Sequence, residues 1–299
     1  MSGKGVPTGK TIAIWVNFAV QLTNMRVYFL GFLMIALAFT ACSPNNVTID
    51  NKIKTYFDAK GVTGSFAMYD NGSGQFTIYN LARYRDTAYL PASTFKIVNS
   101  LIGLETGKIF NEKMVIKWDG IMRDFPNGDS SMSWNQDLTM EEAFKRSSDP
   151  YFQEVARRIG KDTMQFWLDS LKYGNKQMGK TLDQFWLDNS LKITADEQMG
   201  LVKKLYFNLL PFQKRTQEIV RKVMVQEDNA NYKLAYKTGW GYRENGNALG
   251  WLLGWIEENK HVHFFVLNVE GPHDTKPGTI RQDILKAVLK EQGFLEGKR

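Results

Sequence analysis

The sequence contains a single cysteine, Cys42, and only three histidines in 299 residues. One thiol cannot form an intramolecular disulfide, so we expect no disulfide framework. His261 and His263 alternate along a strand-like run, but no third ligand lies near them in sequence. We therefore expect a pair on a sheet face and no metal site. His273 lies in a predicted loop without an evident partner, and nothing in the sequence indicates a nucleotide site.

The excess of positive over negative charge is also small. The formal net charge is +7, but residues 1–42 contain Lys4, Lys10 and Arg26 and no acidic residue. The rest of the chain therefore has a smaller net positive charge. No tract combines clustered Lys and Arg with interleaved aromatic residues. A surplus this small argues against a nucleic-acid partner.

The apolar run from Val27 to Phe39 is too short to span a bilayer comfortably. It follows Arg26 and ends in small residues before Cys42, which is the layout of a bacterial secretion signal. It resembles a lipoprotein signal, in which the thiol is acylated, although Phe39 stands where such signals usually carry a leucine. We expect export to the periplasm and membrane anchoring through Cys42. An ordinary signal cleaved after Ala38 is the alternative.

Three segments are predicted along the chain: an export segment over residues 1–42, a polar linker over 43–54, and one domain over 55–295. Translation starts at Met1 or at Met25, which would give the signal a normal length. Apolar alternation over residues 64–70 and 74–80 predicts a β-hairpin.

The rest of the domain has a helical middle and a strand-rich end. The pattern from Ser93 to about Arg221 is helical, three strand-like runs follow between residues 231 and 270, and Ile280–Gln292 predicts a closing helix. This order predicts an α+β fold with an antiparallel sheet flanked by helices. The sheet lobe would take residues 55–90 and 225–299, and an all-helical lobe would take 91–224.

Ser93 and Lys96 stand three residues apart in the stretch PASTFKIVNSLIGLETG. Residues at this spacing share a helix face, and an amine beside a hydroxyl makes a nucleophile. Taken alone, the pattern favours a serine cap with an exposed lysine. However, Lys96 is flanked by Phe95 and Ile97, and a lysine in an apolar setting must be paired, neutralised or modified.

Two further motifs follow in the chain. KRSSDPYF places Ser147 near the start of a helix, and Lys237-Thr238-Gly239 lies on a predicted edge strand. Free backbone N–H groups at the start of the Ser93 helix, completed by the N–H of Trp240, would form an oxyanion hole. The strand would bind a substrate carboxylate through Lys237 and Thr238, and Gly239 would let the substrate approach closely.

An S-x-x-K, a serine in a helical region and a K-T-G in this order are the signature of the penicillin-recognising serine enzymes. Over residues 55 to 295 the chain resembles the class D, oxacillinase-type serine β-lactamases. The resemblance also rests on Tyr173-Gly174-Asn175, on Phe185-Trp186-Leu187 and on the tryptophan-rich strand at residues 250–255. Trp186 is preferred to Trp167 because the tryptophan of the family follows Tyr-Gly-Asn.

The resemblance implies a two-lobe serine β-lactamase or transpeptidase-like fold and hydrolysis of β-lactam antibiotics through an acyl-enzyme on Ser93. It further implies that Lys96 takes up carbon dioxide as a carbamate, which serves as general base, and that Trp186 binds this group. No dissociable cofactor is implied. The other implied residues are Ser147 and Lys237 in catalysis and Arg281 at the substrate carboxylate. A class A glutamate motif, E-x-x-L-N, is absent from the sequence.

The sequence departs from the family at Asp149, because the family has Ser-x-Val where this chain has Ser147-Ser148-Asp149. We favour this register over Ser148-Asp149-Pro150 as a failed S-D-N motif, since the following helix parallels that of class D. Inside the pocket, the Asp149 carboxylate would hold Lys96 as an ammonium, which cannot form a carbamate. Alternatively, it turns outward or caps the helix. We expect partial carbamylation.

Two other functions remain open from the sequence: a β-lactam sensor that acylates without turnover, and a penicillin-binding D,D-peptidase. The chain has no H-E-x-x-H motif of the zinc-protease segment that such sensors carry. Trp186 and the Tyr-Gly-Asn motif argue against the peptidase. The substrate spectrum, including carbapenems, and the oligomeric state are not determined by the sequence.

Overall fold

The computed structural model describes residues 46–123 and 134–298. The export segment with Cys42, both candidate start methionines and the first linker residues lie outside these ranges, so the expectations about them stay predictions. Within the described residues, no helix is both long and apolar enough to cross a membrane. No cluster of three or more potential metal-ligating side chains occurs in the same ranges.

The central element is a seven-stranded sheet with the order β1-β3-β2-β11-β10-β9-β8. The pairs are antiparallel except for β1 with β3, which is parallel, so the sheet is mixed where a purely antiparallel one was predicted. Two small two-stranded sheets pair β4 with β7 and β5 with β6. The strands are β1 (Val47–Ile49), β2 (Thr63–Asp70), β3 (Phe76–Tyr79), β4 (Ala88–Tyr89), β5 (Val115–Ile116), β6 (Leu138–Thr139), β7 (Ile193–Thr194), β8 (Val225–Asp228), β9 (Lys233–Tyr242), β10 (Ala248–Glu258) and β11 (His261–Gly271).

The predicted hairpin and the three predicted long strands are confirmed in position and in antiparallel pairing. β2 and β3 form the predicted hairpin, and the three long strands β9, β10 and β11 pair along nearly their full length. His261 and His263 lie on β11, where His263 is buried with its Nε2 atom 3.4 Å from Asp70 Oδ1. They occupy sheet positions two residues apart, as the alternation indicated.

Helices cover both faces of the sheet. They are α1 (Lys54–Asp58), α2 (Leu81–Asp86), α3 (Lys96–Glu105), α4 (Met140–Lys145), α5 (Asp149–Ile159), α6 (Lys161–Leu171), α7 (Ala195–Tyr206), α8 (Lys214–Met224) and α9 (Pro277–Glu291). A short 3₁₀ helix, Ala92–Phe95, leads directly into α3.

Side-chain alternation along β10 separates two hydrophobic cores. Leu252 and Ile256 point to one face, where they join a core with α1 and α9. Trp251, Leu253 and Trp255 point to the other face and join the core built from α3 and the other helices of the middle segment. The sheet is therefore buried on both sides, which explains why β10 consists almost entirely of apolar residues and glycine.

The strand that carries Lys237-Thr238-Gly239 is not the edge strand that the sequence predicted. β8 pairs with β9, but only along Lys233–Ala235, where Val225 lies opposite Ala235. Beyond this point, within the described residues, β9 has a strand partner only on its β10 side. The K-T-G segment therefore keeps an unpaired strand edge, although β9 as a whole is interior.

Candidate active site

Ser93 lies in the 3₁₀ helix, and Lys96 is the first residue of α3. Their side chains meet as the spacing predicted, because Lys96 Nζ donates a hydrogen bond of 2.8 Å to Ser93 Oγ. Lys96 is completely buried, and Ser93 retains 8% exposure. The amine is therefore enclosed, whereas the hydroxyl remains reachable from outside.

Gly239 allows the 3₁₀ helix to pack directly against β9. A Cβ atom on Gly239 would lie 2.9 Å from the carbonyl oxygen of Pro91 and 3.1 Å from Thr94 Cγ2. Any larger residue would push the strand and the helix apart. The space beside this glycine is filled by the protein itself, so its first role is to bring the K-T-G strand to Ser93. Thr238 and Trp240, its neighbours on β9, are half-buried.

The turn between α4 and α5 assigns different roles to its two serines. Ser147 has a left-handed backbone (φ 53°), which is uncommon for a residue with a side chain. Its hydroxyl accepts a 2.5 Å hydrogen bond from Lys237 Nζ. Ser148 is the N-cap of α5, and its side chain accepts from the backbone N–H of Tyr151. Ser147 is thus the serine that faces the K-T-G strand, in agreement with the preferred register.

Lys237 and Arg281 bring two more buried cations to this region. Burial, followed by the charges of Lys96 and Arg281, holds the pKa of Lys237 well below its usual range. Burial also lowers the pKa of Arg281 to about 10. Arg281 Nη1 donates a 2.6 Å hydrogen bond to the carbonyl oxygen of Gly239, so the arginine contacts the K-T-G segment directly.

Asp149 points into the pocket. Its Oδ1 atom accepts a short hydrogen bond from Lys96 Nζ, and its side chain keeps 26% exposure. Burial is the largest influence on Lys96 and lowers its pKa, while the charge of Asp149 and its hydrogen bond oppose that shift. Of the two orientations considered for Asp149, the structure shows the inward one.

Trp186 closes the pocket from the side of the loop that precedes β7. Its indole stacks on Phe95, with ring centroids 5.4 Å apart, and its carbonyl oxygen accepts from the backbone N–H of Ala92. Trp186 is fully buried, and its Nε1 atom has no hydrogen-bond partner among the described residues. Trp167 stacks instead on Phe212, so Trp186 is the tryptophan that lies against the Ser93 segment.

The Tyr173-Gly174-Asn175 segment holds this loop in place. Asn175 Nδ2 donates to the carbonyl oxygen of Ser190, and Asn175 Oδ1 accepts from the backbone N–H of Lys192. The ring of Tyr173 meets Phe95 edge to face, with centroids 5.6 Å apart. The motif therefore fixes Trp186 indirectly, through Phe95 and the loop backbone.

Two features of the site were missed from the sequence. Gln198, buried on α7, donates from Nε2 to Thr94 Oγ1, which itself donates to the Pro91 carbonyl oxygen. Ala92, directly before Ser93, has a left-handed backbone with φ 49°. Nothing in the sequence marks a glutamine on a helix or an alanine in a loop as part of a site, because their roles arise only from tertiary packing.

The sequence matches a protein family described as the penicillin binding protein transpeptidase domain over residues 53–290. Beta-lactamase OXA-10 from Pseudomonas aeruginosa is 34% identical over 271 residues, which are 90% of this chain and 99% of that protein. The similarity therefore extends over nearly the full length of both proteins.

Two solved structures show the same fold. The class D β-lactamase YbXI from Nostoc superposes with a TM-score of 0.76 and 36% identity, covering 82% of this chain and 100% of that one. The C-terminal domain of the Bacillus licheniformis BlaR penicillin-receptor superposes with a TM-score of 0.77 and 29% identity, covering 84% and 98%. The fold is therefore shared by enzymes and by a receptor domain.

The two serines of the α4–α5 turn can be separated by substitution. We expect Ser148→Ala to lower the free energy of unfolding by about 1 kcal/mol, because α5 loses its side-chain cap. Ser147→Ala should leave stability nearly unchanged and reduce covalent labelling by a fluorescent penicillin. Denaturant unfolding and labelling kinetics measure the two effects. The reverse pattern would show that Ser148 is the serine of the site.

Proposed function

Since the chain belongs to the class D serine β-lactamases and hydrolyses β-lactams through a serine acyl-enzyme, we propose that Ser93 is its nucleophile and Lys96 carries its general base. The observation that carries this assignment is the 2.8 Å contact between Lys96 Nζ and Ser93 Oγ. The lysine is fully enclosed, and the serine is accessible. A base positioned on this nitrogen is within reach of the hydroxyl proton.

In acylation, Ser93 Oγ attacks the carbonyl carbon of the lactam while its proton passes to the base at Lys96. The carbon–nitrogen bond of the ring breaks, and the nitrogen takes up a proton. Ser147 is placed for this second transfer, because its hydroxyl accepts from Lys237 Nζ and so has its own proton free to donate. With a substrate carboxylate beside it, Lys237 is protonated and stabilises charge that develops on the serine oxygen.

Hydrolysis of the acyl-enzyme repeats this geometry with water in place of the serine. Water attacks the ester carbon, gives up a proton to the base, and the carbon–oxygen bond to Ser93 breaks as the serine regains its proton. Backbone N–H groups of the 3₁₀ helix and of Trp240 are the proposed oxyanion donors. The absence of a side chain on Gly239 lets these two segments lie side by side.

We propose that the carboxylate of the substrate binds between Arg281, Lys237 and Thr238. Lys237 and Arg281 are both buried, and burial lowers the pKa of each. The charge of Arg281 lowers the pKa of Lys237 further, so an added anion relieves an excess of positive charge. Membership in the class makes β-lactams the substrates, and these side chains supply the charge that recognises their acidic group.

Carbon dioxide is the proposed modifying group on Lys96, where it would supply a carboxylate that accepts protons. Two observations suit such a group: Lys96 is enclosed in apolar surroundings, and Trp186 Nε1 is a buried donor without a partner among the described residues. One observation opposes it, because Asp149 already binds Lys96 Nζ. The site therefore accommodates the modification only when Asp149 releases the amine.

Steady-state hydrolysis of nitrocefin tests the proposed roles. We expect many turnovers per enzyme for the wild type, and Ser93→Ala should abolish both turnover and covalent labelling by a fluorescent penicillin with unchanged thermal unfolding. A single burst equal to the enzyme concentration would instead indicate a receptor-like protein that acylates and stops. Full labelling of Ser93→Ala would remove Ser93 as the nucleophile.

The anion site generates a second prediction. Arg281→Ala should lower kcat/KM for penicillins by roughly 30-fold, since a hydrogen bond to a charged group contributes about 2 kcal/mol. The loss should appear mainly in KM, because the arginine is remote from the bond that breaks. Lys286→Ala is the matched control, because Lys286 is a half-exposed cation on the same helix that pairs with Glu227. Equal kinetics in both variants would contradict the role of Arg281.

We also propose that the protein is exported and anchored to the membrane through a lipid on Cys42. The support is the order of Arg26, the apolar run and the small residues before the only thiol. We expect the mature protein to partition into detergent and to begin with a lipid-modified Cys42 by mass spectrometry. Cys42→Ser should release it in soluble form. A soluble wild-type protein cleaved at Ala38 would contradict the anchor but not the site.

A further inference from the structure

We infer that Asp149 is a positioning residue that holds Lys96 as an ammonium and thereby makes its carbamylation strongly dependent on bicarbonate. The inference rests on the proposed carbamate and deepens it. It assigns a specific role to the residue at which this chain departs from Ser-x-Val. The starting observation is the hydrogen bond from Lys96 Nζ to Asp149 Oδ1 in a pocket where the lysine has no exposed surface.

The contacts of Lys96 define one of two states. Its Nζ atom donates to Ser93 Oγ and to Asp149 Oδ1, as an ammonium does. An ammonium has donors only and no lone pair, so in this state Lys96 can neither accept the proton of Ser93 nor react with carbon dioxide. The paired state is therefore a resting state.

The charges around the pocket favour retention of this pair. Lys96 is enclosed, and a second charged group near it is the cation Lys237, whose pKa the charge of Lys96 lowers. Asp149 is the carboxylate in contact with the ammonium. A neutral side chain at position 149 would leave Lys96 buried without a counter-charge, which favours the neutral, reactive amine.

Asp149 is nevertheless able to leave. It is the first residue of α5, its side chain is partly exposed, and Ser148 already caps the helix. A carboxylate that swings away stays at the positive end of a helix and reaches water. Release therefore leaves the carboxylate in water, and the buried Lys96, without its counter-charge, gives up its proton. Trp186 Nε1 remains available as a donor to a new partner.

Formation of the carbamate removes two protons from Lys96 Nζ. The ammonium of Lys96 first loses a proton to solvent, and the neutral nitrogen then forms a bond to the carbon of carbon dioxide. One carbon–oxygen π pair moves onto oxygen, and a second proton leaves the nitrogen, so that the product is a carbamate anion. Asp149 opposes the deprotonation of Lys96 because it stabilises the ammonium. It also opposes formation of the carbamate because it repels the new anion.

The test is a titration of the intact protein with ¹³C-bicarbonate, followed by the NMR signal of the protein-bound carbamate carbon. We expect the half-saturating bicarbonate concentration to be at least tenfold lower in Asp149→Val and in Asp149→Asn than in the wild type. Asparagine keeps the size of the side chain and removes only its charge. The Asp149→Asn variant therefore keeps the test valid if Asp149→Val disturbs the start of α5. Nitrocefin turnover at each concentration should rise with the NMR signal.

Asp162→Asn is the matched control, since Asp162 is an exposed acid in the first turn of α6. Its half-saturating concentration should equal that of the wild type, which separates the specific ion pair from a general loss of helix-terminal charge. Equal midpoints for the wild type and both Asp149 variants would overturn the inference while leaving the proposed carbamate intact. A carbamate signal absent from all variants at saturating bicarbonate would overturn both.

Discussion

The enclosure of one amine, that of Lys96, is the constraint on which the site depends. A lysine without exposed surface has lost its hydration, so it must find a counter-charge, give up its proton or be modified. In this chain the surrounding structure offers Asp149 as a counter-charge and Ser93 as an acceptor. Everything that positions these two groups therefore also sets the chemistry of the lysine.

Packing of backbone against backbone brings the motifs together. Gly239 lets β9 approach the 3₁₀ helix that carries Ser93, and the left-handed residue Ser147 turns its hydroxyl toward Lys237. Left-handed backbone at a residue with a side chain persists where the surrounding structure enforces it. The stacked pair of Phe95 and Trp186 then closes the pocket. Rigid elements thus hold the three cations Lys96, Lys237 and Arg281 around the partly exposed Asp149.

Much of the fold and most of the site could be predicted from the sequence, and the exceptions have physical reasons. The β2–β3 hairpin and the three long strands follow from local apolar alternation and turn residues, so they were predictable. The Ser93–Lys96 contact also follows from local helix spacing. The parallel pairing of β1 was not, because its partner β3 lies farther along the chain. The partial cover of β9 by β8 was missed although the two strands are close in sequence, because the four residues Val225–Asp228 show no apolar alternation. The contact of Gln198 with Thr94, 104 residues away, gave no local signal either.

The chemistry of the site depends on what is attached to Lys96 Nζ, and a crystal structure at saturating bicarbonate tests this most directly. We expect additional density on Nζ for a carboxylate group within hydrogen-bonding distance of Trp186 Nε1, with Asp149 rotated away from the lysine. Lys96 still bound to Asp149 and without additional density under these conditions would contradict it.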